Sequence, residues 1–138
     1  MKRWVIGLFG FLAACDTGPL MTPGQDCQQS GCHGPDQGRR AFSLSGTVFP
    51  QIGSVAESGS SNVTIIVTDA QGKTTNLTSN AAGNFYTDDA LTFPVFVAVQ
   101  AGTTVRHMEP SLTYGGCNQC HDIPPTGSAG GRVFVSAQ

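Results

Sequence analysis

Two short segments of this 138-residue chain place cysteine and histidine at spacings that carry chemistry. Cys117-Asn118-Gln119-Cys120-His121 sets two thiols three residues apart, with an imidazole directly after the second. A three-residue step along a helical turn brings both sulfurs to one side, where they can add across the two vinyl groups of a haem. The next residue then turns its imidazole under the iron as proximal ligand. The CxxCH spacing is thus the attachment signature of haem c, with Cys117 and Cys120 as thioether donors and His121 as metal ligand. A redox-active dithiol or a disulfide would use the same cysteines. A redox CxxC usually caps a helix that follows a buried strand, whereas Tyr114-Gly115-Gly116 and Asp122-Ile123-Pro124-Pro125 read as loop.

Cys27-Gln28-Gln29-Ser30-Gly31-Cys32-His33 repeats the theme with four residues between the thiols. CxxxxCH occurs as a variant haem motif in multihaem cytochromes, its two extra residues looped out, and Gly31 eases the tight turn. On this reading Cys27 and Cys32 hold a second haem and His33 ligates its iron. The competing reading is a Cys27–Cys32 disulfide beside an incidental His33. A third gathers all four cysteines around zinc. Zinc needs no histidine directly after each pair, whereas haem does, and both pairs carry one. The expected cofactor is therefore haem c, two groups or at least one.

Axial ligands can be counted. After the first fourteen residues only His33, His107 and His121 remain, with Met21 and Met108, so two bis-histidine haems cannot form within one chain. Arg106-His107-Met108-Glu109-Pro110 lies just upstream of the CxxCH and can return a distal ligand. Strand neighbours face opposite ways, so one of His107 and Met108 is expected to do so, Met108 by preference. After each motif come a Pro/Gly loop, arginine and an apolar run: Gly38-Arg39-Arg40-Ala41-Phe42 and Gly130-Gly131-Arg132-Val133-Phe134. Arg39, Arg40 and Arg132 are candidate partners for haem propionates, or else solvated arginines at strand starts.

The amino terminus is read as a targeting segment. Met1-Lys2-Arg3 is basic, and Trp4 to Ala14 is apolar, shorter than the roughly 20 residues a spanning helix needs but suited to a signal peptide. Leu12-Ala13-Ala14-Cys15 resembles the bacterial lipobox, which implies lipid attachment at Cys15 and a cell-envelope location outside the cytoplasm, with the inner or outer membrane left open. Residues 1–14 then depart, leaving five basic against nine acidic side chains. Only 12% of residues are charged, about half the usual fraction, which argues against long solvated helices. No basic run or stripe is present, so nucleic acid is excluded as an expected partner.

Between the motifs the pattern is β. Asn62-Val63-Thr64-Ile65-Ile66-Val67-Thr68 is a β-branched run, Asp69 to Gly72 a turn, and Lys73 to Thr78 its returning strand. Phe42 to Phe49 alternates weakly. Ala82-Gly83-Asn84 turns into Phe85-Tyr86-Thr87, Leu91 to Gln100 is strongly apolar, and Thr103 to Met108 comes next. Arg132 to Val135 is positioned to close a sheet. Short strands separated by turns predict an all-β fold, a single transthyretin-like or Ig-like β-sandwich with haem-binding loops at both ends. The expected organisation is 1–14 signal peptide, 15–41 lipidated linker with the CxxxxCH, 42–108 β-sandwich, and 109–138 CxxCH segment with a terminal strand.

Gly46-Thr47-Val48, Val63 to Val67, Asp69 to Gly72, Thr78 through Gly83-Asn84-Phe85, and Leu91 leading into Val95, Val97 and Val99 resemble the carboxypeptidase regulatory-like domain. The likeness covers about half the chain and departs from that family at Pro50 to Ser61, which lacks the usual glycine-proline turn. It implies fold rather than activity. As a whole the chain is similar to small cytochrome-like lipoproteins. The expected function is electron transfer with other cytochromes or a reductase of the envelope, the chain being a carrier rather than an enzyme. The alternatives are a structural or adhesive surface lipoprotein with disulfide-closed cysteine pairs, and a haem-based sensor or peroxidase-like protein with an open distal position.

Overall fold

The computed structural model describes residues 20–29, 32–36, 40–109 and 111–135. Seven strands and one helical turn run in chain order: β1 (Leu44–Phe49), β2 (Thr64–Thr68), β3 (Thr74–Thr78), β4 (Asn84–Thr87), β5 (Phe96–Ala101), β6 (Thr104–His107), α1 (Cys117–Cys120) and β7 (Val133–Phe134). They make a four-stranded sheet of order β3-β2-β5-β6 and a three-stranded sheet of order β4-β1-β7. The fold is an all-β sandwich, as the turn-separated strands predicted.

The best strand of the sequence shows why. In β2 the β-branched run buries Ile65 and Val67 completely and leaves Thr64, Ile66 and Thr68 half-buried, the period-two pattern of a sheet with one core face. Its hairpin to β3 closes through Asp69, whose carboxylate accepts the backbone N–H groups of Gln71 (3.0 Å) and Lys73 (2.9 Å). Gly72 completes the turn at φ +79°, a conformation that glycine enters without steric penalty.

β1 differs from every other strand because it is buried along its whole length. Leu44 and Val48 join Ile65, Val67, Phe85 and Val95 in the core between the sheets. Ser45 and Thr47 point the other way and are covered by the segment that carries the first cysteine pair. Both edges of β1 are occupied as well. β4 pairs antiparallel with one edge, Leu44 opposite Thr87 through Thr47 opposite Asn84. The other edge is shared by Gly116, bridged to Ser45, and by β7, which runs parallel with Val48 opposite Val133 and Phe49 opposite Phe134. Residues 111–135 are thus part of the sandwich, and β1 sets the spacing between the CxxCH turn and β7.

The apolar run Leu91 to Gln100 is not one strand. β5 begins at Phe96, because Pro94 offers no N–H to a ladder and Val95 instead exchanges two hydrogen bonds with Leu112 (2.8 and 2.7 Å). No helix among the described residues is long and apolar enough to cross a membrane. Residues 1–14, expected to be a signal peptide, Cys15 and Arg39 lie outside the described residues.

Candidate functional site

α1 is a single turn, and its two cysteines meet different surroundings. The N–H of His121 donates to the Cys117 carbonyl at 3.0 Å and closes the turn. Cys117 is 6% exposed and belongs to the core, whereas Cys120 is exposed. Burial pushes the Cys117 thiol up to about 12, because a thiolate there would be stripped of water. Cys117 approaches β1 closely only because residue 46 is glycine. A Cβ at Gly46 would lie 2.8 Å from Cys117 Cβ and 2.7 Å from Phe85 Cζ.

His121 has a fixed ring. Its Nδ1 lies 2.8 Å from the carbonyl oxygen of Gly131, and a carbonyl can only accept. In the neutral imidazole Nδ1 therefore carries the proton and Nε2 presents a free lone pair, the arrangement found when a second-shell carbonyl orients a metal-ligating histidine. Beside the turn opens a cavity of about 510 Å³, within the range of about 300–1,000 Å³ usual for cofactor sites. Cys117, Cys120 and His121 line it, with Phe85, Val97 and Val99 as apolar wall.

Two further elements border the cavity. Arg106 of β6 pairs opposite Val99 and His107 opposite Ala98, so Arg106 shares the face of Val99. Met108 lies two residues later on that face, donates its N–H to Val97 O at 2.9 Å and is half-buried, whereas His107 is exposed. Arg132, just before β7, is 7% exposed. Its Nη1 lies 3.1 Å from Asp122 Oδ1 and donates to Gly24 O at 3.4 Å, while Nε is buried without a partner. Two thiols, a ring with free Nε2, an apolar wall and an unsatisfied buried cation suit a porphyrin with carboxylate substituents.

The first motif reproduces part of this geometry. The N–H of His33 donates to Cys27 O at 3.0 Å, so the longer loop closes on its first cysteine as the helical turn does. His33 Nδ1 lies 2.8 Å from Arg40 O, matching His121 and Gly131. The His33 ring stacks on Phe42 (centroids 4.0 Å), which stacks on Tyr86 (4.5 Å). The enclosure differs: the cavity lined by Met21, Cys27, Cys32 and His33 measures about 20 Å³, too small for a porphyrin. Cys27 is a free thiol, raised by burial, and Cys32 is disulfide-bonded. The Cys27–Cys32 bridge considered from the sequence is therefore not formed. The guanidinium of Arg40 is taken by Asp88, whose carboxyl it holds below the usual range, so this arginine contributes its carbonyl to the motif rather than its charge.

The two motifs touch through polar side chains that the sequence reading passed over. Asn118, 2% exposed, accepts from Thr47 N–H (3.1 Å) and donates to Thr47 Oγ1 (2.9 Å) and Gln25 O (2.9 Å). Thr47 Oγ1 also accepts from Gly24 N–H at 2.8 Å and donates to Asn84 Oδ1 at 2.6 Å. Asn84 in turn donates to the carbonyls of Leu20 and Met21. The four thiols are not gathered into a zinc site: among the described residues no group of three or more metal-binding side chains is assembled. Asn118, Thr47, Gly131 and Arg106 were missed because their roles depend on distant partners; only the position of Asn118 inside the CxxCH marked it.

No protein-family model, curated protein or solved structure matches this chain.

Proposed function

We propose that this chain is a c-type cytochrome of the bacterial cell envelope, anchored by lipid at Cys15, that transfers electrons between partner redox proteins. One observation carries the reading. Both cysteine-following histidines hold Nδ1 against a backbone carbonyl, at 2.8 Å in each case, leaving Nε2 for a metal. Haem bound there would supply an iron that alternates between ferric and ferrous states.

The chain's own residues do the rest. Cys117 and Cys120 would provide the covalent tether, and His121, its ring fixed by Gly131, and Met108 on the cavity lining would offer donors to the iron. A thioether donor raises the potential relative to a second imidazole. Phe85, Val97 and Val99 exclude water from one side and Arg132 offers a hydrogen-bond donor to a carboxylate. At the first motif, Cys27, Cys32 and His33 would hold a second haem only once Cys32 is released from its disulfide, and then against the surface rather than in an enclosed cavity. The His33–Phe42–Tyr86 stack is the wall available to it.

Intact mass and a pyridine haemochrome spectrum of protein matured in a haem c-competent host test this reading. At least one haem mass is expected, mapped to Cys117 and Cys120, with a second at Cys27 and Cys32 only where Cys32 is reduced. A chain without covalent haem rejects the cytochrome reading.

A further inference from the structure

Arg106 and Arg132 stand in an unusual relation. The Arg106 guanidinium lies 4.0 Å over the ring of Phe134, and that of Arg132 lies 4.7 Å over the ring of Phe49. Phe49 and Phe134 are register partners of β1 and β7. Two cations are therefore stacked on two neighbouring rings at the rim of one cavity, which both arginines line.

Their charges are unevenly answered. Arg132 meets Asp122, yet its Nε remains buried and unpartnered. Arg106 makes no ion pair among the described residues, although Glu109 also borders the cavity. A buried donor without an acceptor is destabilising, and two guanidinium groups that line one cavity make it a favourable place for anionic groups. Stacking on aromatic faces keeps both planar forks oriented for carboxylate.

We propose that Arg106 and Arg132 form a paired clamp for the two carboxylates of the porphyrin held at Cys117, Cys120 and His121, a reading that rests on haem binding at this cavity. Arg106 is thereby assigned a role that neither motif reveals.

Metal-free protoporphyrin IX and its dimethyl ester, titrated into full-length apoprotein by absorbance, test the clamp on the unaltered chain. The diacid is expected to bind about tenfold more tightly than the ester, the loss expected for charge-assisted hydrogen bonds. Arg106→Leu removes most of that preference without weakening the ester, and Arg106→Lys restores part of it. Equal affinity of the two porphyrins overturns the clamp while leaving covalent haem attachment intact. Displacement of the diacid by millimolar inorganic phosphate also overturns it, since the arginines would then be a site for free anions. Absence of covalent haem from the mature protein instead removes the reading on which the clamp stands.

Discussion

Asn118 Nδ2 donates to the carbonyl oxygen of Gln25 at 2.9 Å, across 93 positions of sequence. This contact ties the interior of the CxxCH turn to the backbone just before the first cysteine of the other motif. Arg132 makes a parallel tie to Gly24. The two cysteine-histidine segments thus share one polar seam laid along the outer face of β1, with Thr47 at its centre.

Replacing Asn118 by alanine leaves the Thr47 N–H and the Gln25 carbonyl without these partners. Each buried unsatisfied group costs about 1–3 kcal/mol, so Asn118→Ala is expected to lose about 2–4 kcal/mol in total. Urea unfolding of the apoprotein measures it, and a loss below about 1 kcal/mol would show that water replaces the seam.

Gly46→Ala tests the seating of Cys117. The added Cβ would meet Cys117 Cβ at 2.8 Å, and neither backbone has room to retreat. Overpacking of this kind costs about 1–3 kcal/mol, with a matching fall in unfolding midpoint. The paired variant Gly46→Ala/Cys117→Ala retains Cβ atoms at both positions and is expected to remain destabilised, whereas Gly46→Ala/Cys117→Gly removes the contact at residue 117 but leaves that with Phe85 Cζ at 2.7 Å, and is expected to recover only part of the loss.

Cys117 also predicts an alkaline limit for the reduced apoprotein. Burial moves its thiol from an ordinary 9.0 to about 12. Below pH 9 both folded and unfolded chains hold the proton, and stability is independent of this group. Above it the unfolded chain ionises first, binds fewer protons than the native state, and stability falls as pH rises toward 12. At about 1.4 kcal/mol per pH unit, roughly 2–3 kcal/mol should be lost by pH 11. Cys27 is raised in the same direction, so the slope specific to Cys117 is the difference from Cys117→Ser. Unfolding curves from pH 8 to 11 that coincide in slope for the two proteins would refute the assignment.

Met108 and His107 predict opposite spectra. Met108 lies on the face of Arg106, toward the cavity, and His107 is exposed. With haem held at His121 as proposed, Met108→Ala should open a coordination position, so that the ferrous protein binds carbon monoxide, while His107→Ala leaves the spectrum as it was. The reverse result would make His107, which also borders the cavity, the ligand.

The sequence is informative where structure arises from local chemistry. The β-branched run around Ile65 and Val67 announced β2, and Asp69 with Gly72 announced its turn, because both act within a few residues. The CxxCH is legible for the same reason, its thiols and imidazole lying on one turn. What stayed hidden depends on distance along the chain. Gly131 anchors His121 only after β7 has joined β1, and Arg106 acquires its neighbour only through the register of Phe49 with Phe134. Where the strand begins within the apolar run Leu91 to Gln100 was not legible, because hydrophobicity alone does not reveal that Pro94 breaks the ladder and that Val95 pairs with Leu112.

β1 is where tolerance to mutation should be lowest. Its six residues are buried on both faces and paired on both edges, and α1, β7 and the Gly24–Gln25 backbone all take their positions from it. The β2–β3 hairpin tip, by contrast, carries exposed Gln71 and Lys73 and is far from either cysteine pair in the sheet order. Surface substitutions there are expected to be nearly neutral, so variation acceptable to this fold should accumulate at the hairpin and leave Leu44 to Phe49 nearly untouched.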